Sequence, residues 1–214
     1  MTTLWIIASC HKEIGPFSHN ELLKILKEIS PDIIFEELDK ETFDLIYGEQ
    51  RAFTLEPKAI LQYLKYSNIP HIPVDTYFFS DKDIYNYGEV VKIIDKYNPE
   101  YKFIAENQLR KTFTGGFKFI NSIENNKIIE RLQQIEVEVL EKIGNSDYLE
   151  WYKKWIIITN ERERTFINNI IKTLEFQKYR NAVFITGAEH KYALEKTLNL
   201  NTNYPNIKWK FGLN

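Results

Sequence analysis

The sequence predicts an α/β fold: a largely parallel central sheet flanked by helices, with a helical insertion between the third strand and the last sheet strands. Three observations carry this. Short apolar runs of strand length alternate with segments of helical period, as in βαβ units. The runs end in polar residues, where a parallel sheet meets its ligand-binding loops. A stretch of about 80–145 is helical in pattern with no strand inside it. At 214 residues, the chain is long enough for one well-cored domain and too short for two independent ones, so residues 1–214 read as a single α/β domain.

The elements follow in order. Leu4-Trp5-Ile6-Ile7-Ala8 forms the first strand and stops at Ser9-Cys10-His11. Ser18-His19-Asn20-Glu21 has the spacing of a capping box, Leu22, Leu23, Leu26 and Ile29 follow at helical period, and Pro31 ends that helix. Asp32-Ile33-Ile34-Phe35 is the second strand and delivers Glu36-Glu37. After the region from Phe43 to Tyr47 comes a helix with Pro57 early, where its missing N–H is harmless, and with Ile60, Leu61 and Leu64 on one face. Ile72-Pro73-Val74 is the third strand; its proline suits a sheet edge or a strand end, and it delivers Asp75.

In the insertion, Ile84, Val91 and Ile94 make one apolar face and Ile120, Ile128, Leu132, Ile135 and Val139 another, with Gly115-Gly116 breaking the run between them. A helix from about Ser146 carries Trp151, Trp155, Ile158, Phe166, Ile170 and Leu174 at intervals near three to four. Ala182-Val183-Phe184-Ile185-Thr186 is a strand ending at Gly187-Ala188-Glu189-His190, before a short helix near Tyr192 to Leu198. Ile207 to Phe211 alternates strictly, as a strand with one solvated face does.

Composition narrows the function classes. Hydrophobic residues at 43% and charged residues at 27% are ordinary for a globular protein. The 28 basic and 30 acidic residues are interspersed, so a polyanion-binding face and a nucleic-acid partner are not expected. One cysteine, Cys10, leaves no intrachain disulfide and suits a reducing compartment. No cationic segment precedes a long apolar stretch at the N-terminus, and no apolar run approaches the roughly 20 residues that cross a bilayer, so neither secretion nor a membrane is expected, and a cytoplasmic location is.

Strand ends supply the candidate chemistry. His11 and His190 are the foremost candidates, because neutral imidazole serves both as metal ligand and as general base near neutral pH. With a carboxylate from Glu36 or Glu37, and with Asp75, they supply the nitrogen and oxygen ligands of a divalent ion such as Mn, Zn or Co. Successive strand residues point to opposite faces, so Glu36 and Glu37 do not share one; the alternation from Ile34 favours Glu36, giving His11, Glu36 and His190 as the metal set. In Asn160-Glu161-Arg162-Glu163-Arg164, Arg162 lies four from both Ile158 and Phe166 and therefore projects inward, where it needs a carboxylate or a bound anion. Arg51 is a weaker case of the same kind. His19 and His71 read as structural or surface residues, and Cys10 as a buried inert thiol. No Walker loop, G-x-G-x-x-G or H-E-x-x-H occurs.

The A-S-C-H and G-A-E-H strand ends, P-D-I-I-F-E-E, I-P-V-D, and N-E-R-E-R ahead of V-F-I-T-G-A-E-H together resemble the TraB/Tiki group, within the wider superfamily of erythromycin esterase and the haem-binding ChaN proteins. The resemblance runs across nearly the whole chain in order and spacing, with Ala8 standing where the first motif has glycine. It implies metal-dependent peptide hydrolysis carried by His11, His190 and Glu36 or Glu37, and it singles out Glu161 and Arg162. Other members hydrolyse esters with histidine and glutamate and no metal, or bind haem.

The leading expectation is therefore a hydrolase of a peptide or small-molecule ester. His11, His190 and a glutamate hold a divalent ion or activate water directly, Asp75 orients a histidine, and Arg162 stabilises charge on the attacked carbonyl. The alternative is a non-catalytic binder of haem or another apolar ligand, its pocket lined under the insertion by some of the 4 tryptophans, 13 tyrosines and 14 phenylalanines.

Overall fold

The structure, a computed structural model, describes residues 1–49, 54–76, 80–144, 146–200 and 204–213. Arg51 lies outside the described residues. Among them the strands are β1 (Thr2–Ser9), β2 (Ile33–Glu36), β3 (His71–Pro73), β4 (Asn181–Gly187) and β5 (Ile207–Phe211). They form one sheet in the order β3-β2-β4-β1-β5, with every pairing parallel. The proline of β3 thus sits on an edge strand, as its missing donor requires.

Helices α1 (His19–Ile29), α2 (Lys40–Gly48) and α3 (Leu55–Leu64) connect the first three strands, and α8 (Ala188–Leu200) connects β4 to β5. The chain steps from β1 towards β3 in one direction and from β4 to β5 in the other. Right-handed crossovers then put α1 and α3 on one face of the sheet and α8 on the opposite face. Side chains divide accordingly. Ile7, Ile34, Val183 and Ile185 pack under α1 and α3, while Leu4, Ile6, Ile33, Phe35, Ala182 and Phe184 pack under α8 and the long helix α7 (Ser146–Phe176). Each large side chain buried this way contributes about 1.5–3 kcal/mol.

The insertion is α4 (Asp81–Tyr97), α5 (Pro99–Ile120) and α6 (Ile123–Ile143). Ser80 and Asp83 form a complete capping box for α4, and Val90 and Ile94 are buried on the expected face, with Val91 packed against them. The expected box at Ser18 is only half made: the Ser18 hydroxyl accepts from the Glu21 N–H at 3.4 Å, but the Glu21 carboxylate turns away and accepts from the Phe117 N–H at 3.2 Å. The break read at Gly115-Gly116 is a kink within α5, where Gly116 has φ of 55° and a Cβ would come within 2.6 Å of the Glu21 carboxylate. Only glycine fits there.

Past the kink, Asn121 ties the insertion to the sheet. Beyond Ile6, β1 has no β5 partner, and the Asn121 side chain takes over by accepting from the Ala8 N–H at 2.7 Å and donating to the Ala8 carbonyl at 3.1 Å. Buried backbone groups left without such a partner cost about 1–3 kcal/mol each. Among the described residues, no helix is long and apolar enough to cross a membrane.

Candidate functional site

Ser9 at the end of β1 is in register with Gly187 at the end of β4, so His11 and His190 issue from neighbouring strands. His190 stands in the first turn of α8, which begins at once after β4 rather than after the loop expected. His11 adopts a positive φ of 61°. Both histidines and Glu37 line one cleft of about 460 Å³ at the carboxyl end of the sheet, whose far wall is the α5 and α6 segment of the insertion. The convergence expected from the sequence is therefore present for these three.

Glu36 and Glu37 part as strand alternation demands, with the opposite outcome to the one favoured. Glu36 continues Ile34 onto the α1 and α3 face, where it is buried and accepts from the Tyr47 hydroxyl at 2.5 Å and pairs with His71 Nδ1 at 2.8 Å. Burial pushes its carboxyl up, against those two hydrogen bonds. Glu37 continues Phe35 onto the α7 and α8 face, and it is Glu37 that meets His190. His71 is thus a structural partner, as expected, though of a buried carboxylate.

Glu37 sits in a closed ionic cluster. Its Oε2 accepts from the Thr186 hydroxyl at 2.6 Å and the Gly187 N–H at 2.7 Å, and its Oε1 from Arg162 Nη2 at 2.8 Å. Arg162, buried as its position on α7 predicts, also donates through Nε and Nη2 to Asp75 Oδ2 at 3.0 and 2.7 Å. α7 is held at this sheet edge by the Asn169 side chain, which donates to the Val74 carbonyl at 2.9 Å. His190 places Nδ1 3.0 Å from Glu163 and Nε2 3.3 Å from Glu37 Oε1 and 3.1 Å from Arg162 Nη1. Burial opposes charge on His190, but the flanking Glu37 and Glu163 carboxylates outweigh it and push the imidazole up to about 10. Burial likewise opposes charge on Glu37, and His190 with Arg162 overcomes it, holding the carboxyl well below its usual range.

Arg162 touches protein partners and does not line the cleft, so its observed work is to fix Glu37 and Asp75 rather than to meet a carbonyl. Glu161, singled out by the resemblance, is exposed on α7; Glu163 is the member of that run that reaches His190.

The other histidine has a partner that the strand-end pattern does not reveal. Glu56, in the first turn of α3, lies 3.1 Å from His11 Nδ1, accepts from the His11 N–H at 3.1 Å, and accepts from the Ser9 hydroxyl. Glu56 is buried, while the His11 side chain is 53% exposed. The hydrogen bond from Glu56 raises the His11 imidazole above its ordinary value, more than burial lowers it. A proton on Nδ1 serves Glu56 and leaves Nε2 as a lone pair with no partner among the described residues.

The residues expected to share a metal do not meet as a set. Glu36 is taken by Tyr47 and His71, His190 has protein partners at both nitrogens, and His11 is paired with Glu56; among the described residues, no group of three or more His, Cys, Asp or Glu side chains could hold a metal ion. Cys10 lines the cleft instead of being fully buried, and burial raises its thiol. Among the described residues, the cleft lining contains no phenylalanine, tyrosine or tryptophan. Tyr101, Tyr152 and Trp151 pack in the core of the insertion, where Tyr101 and Tyr152 donate to the buried Glu136 at 2.7 and 2.6 Å.

The chain matches no family model, and no curated protein or solved structure matches it at a significant level.

Proposed function

We propose that the protein is a hydrolase of the TraB/Tiki-like type, cleaving an ester or peptide bond with His11 as general base and Glu56 as the carboxylate that orients it. One observation carries the reading: an imidazole whose Nδ1 is held by a buried carboxylate lines a cleft of small-molecule size. His11 Nε2 takes a proton from water as the water oxygen bonds to the carbonyl carbon. The resulting imidazolium, stabilised by Glu56, returns that proton to the departing oxygen or nitrogen as the tetrahedral intermediate collapses. Ala188, Glu189 and His190 in the first turn of α8 line the same cleft, and the N–H groups of that turn, which have no intrahelical acceptor, are the donors assigned here to the developing oxyanion. The Glu37, Arg162 and His190 cluster keeps that turn in place through the Glu37 bond to the Gly187 N–H.

Purified protein assayed against a panel of ester and peptide substrates tests this, with Mn²⁺, Zn²⁺ or Co²⁺ added or with chelator. Hydrolysis is expected, and His11→Gln is expected to lower kcat by about 10²–10⁴-fold. Turnover unchanged in His11→Gln ends the reading; turnover that requires an added ion favours the metal-dependent chemistry implied by the resemblance.

A further inference from the structure

The lining of the cleft is asymmetric in a way that the hydrolytic step does not use. Its insertion side presents Ala105, Leu109, Ile120 and Ile129 together with Gln108 and Thr112; Leu109 is left more than half exposed, while Ile120 and Ile129 are almost fully buried. Its sheet side carries Glu37 and Glu189 beside His11 and His190, with no lysine or arginine among the described lining residues, and Glu189 stands between Ala188 and His190 on the rim.

Glu189 is unlike the other carboxylates here. Glu37, Asp75 and Glu163 are consumed by Arg162 and His190, and Glu56 by His11 and Ser9. Glu189 has no hydrogen-bond or ion-pair partner among the described residues, and it is exposed where it lines the cleft. Burial, and then the Glu136 carboxylate, push its carboxyl up. Its place in the first turn of α8 favours the ionised form. An unpaired carboxylate at the rim of a concave cleft attracts cations and repels carboxylates and phosphates.

We infer that the cleft takes substrates bearing a protonated primary amine next to an apolar chain, the ammonium pairing with Glu189 and the chain lying along Leu109, Ile120 and Ile129. This deepens the hydrolase reading, on which the word substrate rests, by naming the class of molecule the same site accepts. The amine is that of a small amino ester or the free end of an apolar peptide, since both present one ammonium beside a hydrocarbon group. A cation here relieves the like-charge crowding around Glu189, and the apolar wall contributes about 0.8 kcal/mol per methylene buried.

Binding can be read without any turnover. In NMR titrations of the full chain near neutral pH, hexylammonium is expected to bind about ten-fold more tightly than hexanoate, with 1-hexanol between them. Glu189→Gln should bring hexylammonium to the affinity of 1-hexanol and leave 1-hexanol itself unchanged, with the thermal melt confirming the fold. Leu109→Ser should weaken both ligands together. Leucine amide against N-acetylleucine amide distinguishes the sources: a preference for the free amine, lost in Glu189→Gln, supports the peptide end, and binding of hexylammonium alone supports the small amine. Equal affinity for hexylammonium and hexanoate, an unaltered preference in Glu189→Gln, or no binding of any probe overturns the inference. Ammonium-selective binding without hydrolysis of any ester or peptide overturns the hydrolase reading and leaves the binding inference standing.

Discussion

Glu36 and Glu37 are neighbours in sequence and both are largely buried, yet one is met by a phenol and an imidazole and the other by an arginine and a histidine. On the α1 and α3 face burial prevails, and the Glu36 carboxyl is pushed up towards neutrality. On the α7 and α8 face the cations prevail, and Glu37 is held as a carboxylate. The difference teaches that the two sides of one sheet edge do different jobs. The α7 and α8 side is a closed ionic lattice whose charges are spent on each other. The α1 side keeps its histidine half exposed over a buried carboxylate whose second oxygen has no hydrogen-bond partner among the described residues.

The comparison breaks most readily at Arg162. Arg162→Met strands Glu37 and Asp75 without their shared cation, and the unfolding free energy from urea titration should fall by about 3–5 kcal/mol; a loss below about 1 kcal/mol would mean the lattice is not closed. The next largest effect is on the pH dependence of stability. His190 has a folded-state value of about 10 against an ordinary 6.5, so its contribution is complete below 6.5 and is lost as pH rises through about 10. Glu37 is depressed, so its contribution is present above its ordinary 4.5 and is lost as pH falls below it. Thermal melts across pH should therefore show this cluster at full strength between those ordinary values, with the alkaline loss abolished in His190→Gln.

Glu36→Gln should show the contrast in sign. A buried carboxyl raised by desolvation is destabilising in its charged form, so the neutral amide should leave stability unchanged or raise it by about 1 kcal/mol at pH 7, while Glu37→Gln lowers it. A loss in Glu36→Gln matching that in Glu37→Gln would erase the distinction between the faces. The smallest effect is kinetic. His11 must be neutral to act as base and its value is raised by Glu56, so the acid limb of the rate profile should lie above 6.5 and shift downward in Glu56→Gln.

Much of this architecture is legible in the residues because local signals and tertiary demands agree. The apolar runs, Pro31 and the edge proline Pro73 each act within a few positions of where they stand in the chain, and the inward face of α7 is written in its own periodicity. The strand-end histidines are legible for the same reason. Glu36 misleads because alternation shows that the pair diverges without saying which carboxylate meets His190; that depends on Arg162 of α7 and His190 of α8, which lie far along the chain. Glu56 is invisible for a related reason. It looks like the acidic first turn of a helix that starts near Pro57, and only the return of α3 to the end of β1, marked by the Leu55 N–H approaching the His11 carbonyl at 3.4 Å, makes it a partner of His11. Glu163 hides in an alternating charge run that usually means a solvated face, and becomes buried only because α8 covers it.

The backbone at His11, with its φ of 61°, lies in a region that glycine enters freely and a side-chain-bearing residue enters with strain. If position 11 were randomised and sorted for resistance to heat alone, glycine should rise to the top; if sorted for turnover, the imidazole should survive. The two sorting regimes would pull apart at one residue, making position 11 a place where durability and activity compete.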